Sequence, residues 1–351
     1  MIKKCHVVIQ TAFLGDLFLS LPLLRQIKKE FPQDNLILIC KSGLGDFFLA
    51  EKIVDQVLEI KKNDRESYKK VLHHVRQKSL HIQNLYCVHR SIRSQLMSLQ
   101  IKARRKIGFQ SFLGFFIFRD QITYQKNWPE ALRQLKILIS TSPNVALNLL
   151  EKDWSYLNDV DEEGQMANIP PLFEQPLIRP KTSSKKIALF PGSVWATKQW
   201  TRQGFATVAE AFFKLGYDVY LMGGPDEKLL CEDIHTLSPN SQVLAGSKSI
   251  LESILFVKGC DLVISNDSAP AHMAASQNVP IVSIFGPTTL NLGFRPWTSK
   301  VIVVENKKLN CRPCGKHGHQ KCPLKHHHCM IQIEAQEVID AGLNLLKFVN
   351  P

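Results

Sequence analysis

A chain of 351 residues has the length of about two domains at ~100–200 residues each. Its 44% hydrophobic and 21% charged content excludes a disordered or fibrous chain. Forty-four Lys and Arg against 31 Asp and Glu leave a net charge of +13, which favours an anionic partner: nucleic acid, a phosphate compound or an acidic membrane surface.

No apolar run reaches the roughly 18–20 residues that a membrane span requires. The opening MIKKCHVVIQTAFLGDLFLSLPLL shares a basic head and an apolar run with signal peptides. Asp16 interrupts that run and no small-residue cleavage site follows, so a strand, a loop and a helix fit better and a cytoplasmic location is expected. Short apolar runs then alternate with longer amphipathic segments, the pattern of α/β units on a parallel sheet. Strands are expected at Cys5–Gln10, Leu36–Cys40, Gln56–Ile60 and Leu80–Tyr86. Helices are expected at Leu17–Phe31, Arg65–Gln77, Ser91–Leu99 and Pro129–Ser140, with Pro22 kinking the first. Four prolines between Ile169 and Lys181, followed by Ser183 and Ser184, have the composition of a linker.

The alternation restarts with strand Lys186–Phe190, helix Gln203–Leu215, strand Asp218–Met222 and helix Asp226–Thr236. Helix Ile250–Val257, strand Leu262–Ser265, helix Ala269–Gln277 and strand Ile281–Phe285 follow. In the tail, Val338, Ala341, Leu345 and Phe348 share one face of a helix over Ala335–Phe348. Two open α/β domains are therefore expected: a first over 1–167, a linker over 168–185, and a second over 186–330 with a Cys-rich segment at 311–329. A C-terminal helix occupies 331–351.

Four strand-to-loop junctions carry the chemistry. In TAFLGDLFLSLPLL, Gly15 lets the backbone approach a ligand and the helix start presents N–H groups to an anion. Asp16 sits at the carboxyl end of a strand, either in a ligand site or as a plain helix cap. The loop matches neither the dinucleotide fingerprint nor a Walker loop. In FPGSVWATKQWT, Ser193 and Thr197 offer hydroxyls, Lys198 a charge for phosphate, and Trp195 and Trp200 a wall for a site or packing for the core. MGGPDE offers Asp226 and Glu227 to ribose hydroxyls. In SNDSAPAHMAASQNVPIVSIFGPT, Asp267, Ser268 and Ala269 open a helix whose amino end suits phosphate, and His272 follows one turn later. Together these junctions favour a nucleotide or nucleotide-sugar site.

The segments LGDLFLSLPLL, HRSIRSQLM, RRKIGF, PGSVWATKQW, NDSAPAHMAA and VPIVSIFGPT make the chain resemble the heptosyltransferases of glycosyltransferase family 9 over nearly its whole length. The Cys-rich CRPCGKHGHQKCPLKHHHCM is similar to that of the second heptosyltransferase, which favours heptose as acceptor. The resemblance implies a GT-B architecture, two Rossmann-like domains with parallel sheets facing across a cleft. It implies inverting transfer of L-glycero-D-manno-heptose from ADP-heptose to the lipopolysaccharide inner core, on heptosyl-Kdo2-lipid A, with no required cofactor. Carried over by position, Asp16 is the general base. Ser193, Thr197, Lys198, Glu227, Asp267, Ser268, Ala269 and His272 are the donor side, and Gly15, Arg90 and Arg93 the acceptor side. Many members have Gly where this chain has Ala269, which restricts how closely a phosphate approaches.

Cys311, Cys314, Cys322 and Cys329 have the spacing C-x2-C-x7-C-x6-C. A structural zinc site, a disulfide and free thiols all remain open for them. The basic run Lys102–Lys106 fits a solvated face, a phosphorylated lipid contact or a peripheral contact with the anionic inner membrane surface. A nucleic-acid binder would concentrate its cations on one helix or among aromatics, and here they are spread along the chain, so no nucleic-acid partner is expected. A family 9 enzyme with another nucleotide sugar and a silent nucleotide-sugar binder compete with the heptosyltransferase reading. The carboxylate of Asp16 speaks against the silent binder.

Overall fold

Short runs rich in Val, Ile and Leu form strands that are buried on both faces, because helices cover each side of the sheet. In the computed structural model, which describes residues 4–76, 81–150, 152–170 and 185–349, the chain divides into two units, Met1–Trp154 and Ser155–Pro351. In the first, β1 (Lys4–Gln10) leads into α1 (Leu14–Phe18) and α2 (Leu21–Glu30), β2 (Asn35–Lys41) into α3 (Asp46–Ala50), and β3 (Gln56–Ile60) into α4 (Arg65–Val75). Then β4 (His81–Cys87) leads into α5 (Ile92–Gln100), β5 (Arg105–Phe109) into α6 (Phe112–Ile117), and β6 (Asp120–Ile122) into α7 (Glu130–Leu135) and α8 (Pro143–Leu149).

The second unit repeats the scheme. There β7 (Lys186–Phe190) leads into α9 (Arg202–Lys214), β8 (Asp218–Leu221) into α10 (Lys228–Leu237), β9 (Gln242–Val243) into α11 (Ile250–Lys258), and β10 (Leu262–Asn266) into α12 (Ala269–Ser276). β11 (Ile281–Phe285), β12 (Val301–Glu305), α13 (His328–Ile331) and α14 (Ala335–Val349) complete it. Each unit holds one six-stranded parallel sheet, in the orders β3-β2-β1-β4-β5-β6 and β12-β11-β10-β7-β8-β9. Counted within each unit, both orders read 3-2-1-4-5-6, the doubly wound arrangement of a Rossmann fold. Val7, Ile9, Ile37 and Leu85 centre the first core, and Phe205, Phe212, Ile264 and Ile284 the second.

The expected strands and helices are present, with local differences that have physical causes. The segment expected as one helix over Leu17–Phe31 is two, α1 and α2. Pro22 lies in the first turn of α2, where its missing N–H removes no helical bond, so it starts a helix instead of kinking one. The Pro129–Ser140 helix is α7 followed by a 3-10 turn over Lys136–Ser140. Gln77, Leu80 and most of the expected linker lie outside the described residues. Ser155–Ala167, expected in the first domain, packs on the second unit: Gln165 pairs with Ile302 at the edge of β12, and the Val303 N–H donates to the Gly164 carbonyl at 2.8 Å. The fully buried Arg295 guanidinium donates to the carbonyls of Leu157, Ala167 and Thr298. Among the described residues no helix is long and apolar enough to cross a membrane.

Candidate active site

In a doubly wound sheet the strand order reverses beside the first strand, and the loops on either side of that point splay apart to leave a crevice at the strands' carboxyl ends. Here the reversal falls between β1 and β4 in one unit and between β7 and β10 in the other. Three of the four sequence junctions, those at Gly15–Asp16, Ser193–Lys198 and Asp267–His272, follow these strands.

In the first unit the crevice is a cavity of about 470 Å³ whose lining includes Thr11, Phe13, Lys41, Lys62, His89 and Arg93. The Thr11 hydroxyl lies 2.9 Å from His89 Nδ1 and 2.8 Å from Ser94 Oγ, tying the loop after β1 to the loop after β4. Burial, reinforced by Lys62, pushes the His89 pKa down, which favours the neutral ring beside the cations. Gly15 and Asp16 follow the lining residues in the first turn of α1, whose N-cap residue is Phe13 and not Asp16. The Asp16 carbonyl accepts from Ser20 Oγ at 3.1 Å and Gln134 Nε2 at 3.4 Å, which fixes where its side chain starts. Arg93 lines the cavity and donates to the Lys62 carbonyl at 3.0 Å. Arg90 instead lies over the Tyr124 ring, 4.1 Å from its centroid. Sequence reading missed Lys41, Lys62 and His89, because each lies at the end of a different strand, β2, β3 and β4, and only the sheet order brings them together.

In the second unit, Asn266 at the end of β10 donates to the Pro191 carbonyl at 2.8 Å and accepts from Trp200 N at 3.0 Å. It joins the loop after β7 to the mouth of α12. There Lys198 Nζ donates to Asp267 Oδ2 at 2.5 Å and to the Asp267 carbonyl at 3.1 Å, and Thr288 Oγ1 donates to the same Oδ2 at 2.6 Å. Asp267 is thus the anchor of Lys198; a bare carboxylate would repel a phosphate. Ser268 is the N-cap residue of α12, and its own side chain does not cap the helix. His272 is only 6% exposed, and its Nδ1 has no hydrogen-bond partner. Burial pushes its pKa down to about 4, with Asp267 opposing and Lys198 adding to the shift, so it is neutral near pH 7. Ser193 Oγ accepts from Trp195 N at 3.3 Å, which leaves its proton to donate. Glu227 accepts from Gly224 N at 2.8 Å and packs so closely on Gly192 that a methyl group there would overlap its carboxylate. Burial raises the Glu227 pKa, against the Gly224 N–H and with Asp226 adding.

The FPGSVWATKQWT loop divides its side chains between core and mouth. Trp200 is a core residue, buried against Phe205 with its indole N–H on the Ile333 carbonyl. Only Trp195 belongs to the mouth, stacked on His317 with centroids 5.9 Å apart. The Thr197 hydroxyl donates to the His319 carbonyl and accepts from the His319 N–H, both at 2.8 Å, so its proton is already engaged.

These bonds show what the Cys-rich segment does. Arg312 donates to the carbonyls of Gly286, Asn306 and Thr288 and to Glu305. Cys314 N donates to the Pro287 carbonyl at 2.7 Å. The segment therefore lies along the loops after β7 and β11 and places His317 near Lys198. Burial, Lys198 and Lys316 lower the His317 pKa while Asp267 opposes them. Cys311, Cys314, Cys322 and Cys329 are free thiols. Burial raises the Cys329 pKa to about 11, with Arg312 opposing and the other three cysteines adding. Among the described residues no three His, Cys, Asp or Glu side chains are placed to hold a metal ion. Cys329 is buried in α13 and the other three are half-exposed in the loop, near enough to raise its pKa.

Two Rossmann-like units, with cations at one switch point and a lysine at a helix mouth at the other, define a transferase of the two-domain GT-B class. The chain belongs to glycosyltransferase family 9 (heptosyltransferase), whose family model matches residues 63–327, and it is a glycosyltransferase. It is 27% identical to lipooligosaccharide heptosyltransferase 2 of Campylobacter jejuni, covering 95% of this chain and 96% of that one. In fold it is similar to a family 9 glycosyl transferase from Veillonella parvula, with TM-score 0.76, 21% identity and 99% and 98% of the two chains covered. It is also similar to the E. coli ADP-heptose lps heptosyltransferase II, with TM-score 0.75, 19% identity and 99% and 100% covered.

Proposed function

We propose that the protein transfers a heptose from ADP-heptose to a heptose-bearing inner-core acceptor of lipopolysaccharide, with inversion and without a metal in the chemical step. The observation that carries this reading is the Lys198–Asp267–Thr288 cluster at the mouth of α12. It fixes a cation at the amino end of α12, beside the Ala269 N–H, as a departing diphosphate requires. The relatives named above supply the sugar and the acceptor class, and the lysine- and arginine-lined cavity of the first unit suits an anionic acceptor.

Asp16 takes the proton of the acceptor hydroxyl as that oxygen attacks the anomeric carbon from the face opposite the phosphate. The bond from C1 to the phosphate oxygen breaks, and ADP leaves with the electron pair. Lys198, the Ser268 hydroxyl and the Ala269 N–H at the mouth of α12 hold the charge that grows on it. Asp267 positions Lys198, and Thr197 positions the loop that carries it. Neutral His272 lets the second ring nitrogen donate to a phosphate oxygen without a buried charge. Glu227 accepts from ribose hydroxyls, while Arg93, with Lys41 and Lys62, meets the acceptor's negative groups. In this reading the protein works on the cytoplasmic side of the membrane.

A thermal-shift panel with ADP, UDP, GDP and CDP tests the donor. Selective stabilisation by ADP, abolished in Lys198→Ala, is expected. A preference for UDP or GDP would keep glycosyl transfer and discard ADP-heptose.

A further inference from the structure

Between Glu66 and Asp120 the chain carries eleven Lys and Arg and no acidic residue. This stretch contains α5 and α6, which are neighbours: Ser111 Oγ donates to Gln95 Oε1 at 2.8 Å. On α5, Ile92, Leu96 and Leu99 are exposed at helical spacing, while Ser94, Met97 and Ser98 are buried. On α6, Phe112, Phe115 and Phe116 are 89%, 69% and 69% exposed, while Gly114 and Ile117 face inward. The Phe116 ring meets Phe112 at 5.9 Å and Phe115 at 5.3 Å between centroids, so the three rings form one apolar cluster. Exposed Arg93, Lys102, Arg104 and Arg119 accompany it, and Lys106 Nζ rests on the Leu99 carbonyl at 3.1 Å. Asp120, the first carboxylate beyond the stretch, is paired with Arg105.

Single exposed apolar side chains are ordinary, but six on adjacent helices amid uncompensated cations are not. A partner that is anionic at its surface and apolar beneath matches both features at once. We propose that the α5–α6 face docks on an anionic lipid bilayer, with the three phenylalanines among the acyl chains and the cations on headgroup phosphates. Ile92 and Arg93, at the start of the apolar stripe, also line the cavity after β1. Resting on the acceptor reading above, this continuity brings the cavity mouth to the bilayer, where a lipid-linked acceptor resides.

Flotation of the full chain with vesicles tests the surface without donor or acceptor. The protein is expected to float with phosphatidylethanolamine–phosphatidylglycerol vesicles, to remain behind with phosphatidylcholine alone, and to be released by high salt. Phe112→Ser/Phe115→Ser/Phe116→Ser is expected to partition about tenfold or more weakly with an unchanged melting point. Lys102→Glu/Arg104→Glu is expected to lose the preference for phosphatidylglycerol. If the triple variant does not fold, Phe112→Ser alone is measured and a clear loss is still expected. Equal flotation of wild type and Phe variants overturns the proposal. So does a wild-type dimer that does not float and that the Phe variants dissociate, which would assign the face to a second copy of the chain. Transfer to a soluble, deacylated acceptor is expected to be unaffected by the Phe substitutions. If flotation holds while transfer fails on every acceptor, the proposed reaction falls and the docking surface stands.

Discussion

Lys198 is held on both sides of Asp267, by its carboxylate and by its carbonyl, so the ammonium group waits in one place. Breaking such a buried pair from the carboxylate side leaves a charge without compensation, at a cost of about 3–5 kcal/mol. His272 sits beside the pair as a buried neutral base. Its folded pKa of about 4 lies below the ordinary 6.5, so between these values the unfolded chain binds the proton and the folded chain does not. Stability therefore rises with pH from 4 to 6.5 and is lost as the pH falls through that window. In His272→Gln the melting temperature is expected to depend less steeply on pH between 4 and 6.5, as differential scanning calorimetry would register. An unchanged slope would mean that His272 is protonated in the fold. The sequence shows His272 one turn into a helix; its isolation from any partner on Nδ1 depends on packing and is not written in the spacing.

At the scale of elements, the Cys-rich segment is a strap across the loops after β7 and β11. Gly318 has a left-handed φ of +80°, and a methyl group on it would stand 2.9 Å from Thr197 Oγ1 and 3.1 Å from Pro287 Cγ. Gly318→Ala is therefore expected to destabilise by about 1–3 kcal/mol and to weaken stabilisation by ADP, since the strap then lifts from the Lys198 loop. Denaturant unfolding with and without ADP measures both effects. The strands beside the switch point of each unit, β1 and β4 in the first and β7 and β10 in the second, are legible in the sequence because each is a near-continuous apolar run ended by a glycine or polar junction. β5 and β6 are not, because RKIGF begins with two cations and DQI is three residues long. β12, VIVVE, is as apolar as the others, but the conspicuous cysteines beside it dominate the pattern there. The cysteines draw the eye to a metal site, a disulfide or free thiols, while the hydrogen bonds that seat the strap come from Arg312 and His319. Nothing in C-x2-C spacing announces those residues.

At the scale of the molecule, two units with the same strand order carry different switch-point chemistry: a cation-lined cavity in one and a lysine at a helix mouth in the other. Residues 155–167 belong energetically to the second unit, since they supply two of the carbonyls that accept hydrogen bonds from the buried Arg295 guanidinium. A fragment 155–351 is accordingly expected to fold and to be stabilised by ADP. A fragment starting at 186 leaves Arg295 short of partners, and is expected to melt markedly lower; equal melting of the two would remove that role. The doubly wound order itself explains why the candidate loops can be found from sequence while Lys41, Lys62 and His89 cannot: motifs mark the ends of single strands, and only the assembled sheet gathers these three side chains at one cavity. The proposed reaction stands or falls with Asp16 as the base of an ADP-heptose-dependent transfer. Single-turnover transfer from ADP-heptose to a heptosyl-Kdo acceptor, followed for wild type and Asp16→Asn at saturating donor, decides it. The variant is expected to be slower by about 10²–10⁴-fold with its ADP affinity unchanged; transfer at the wild-type rate would contradict the assignment of Asp16.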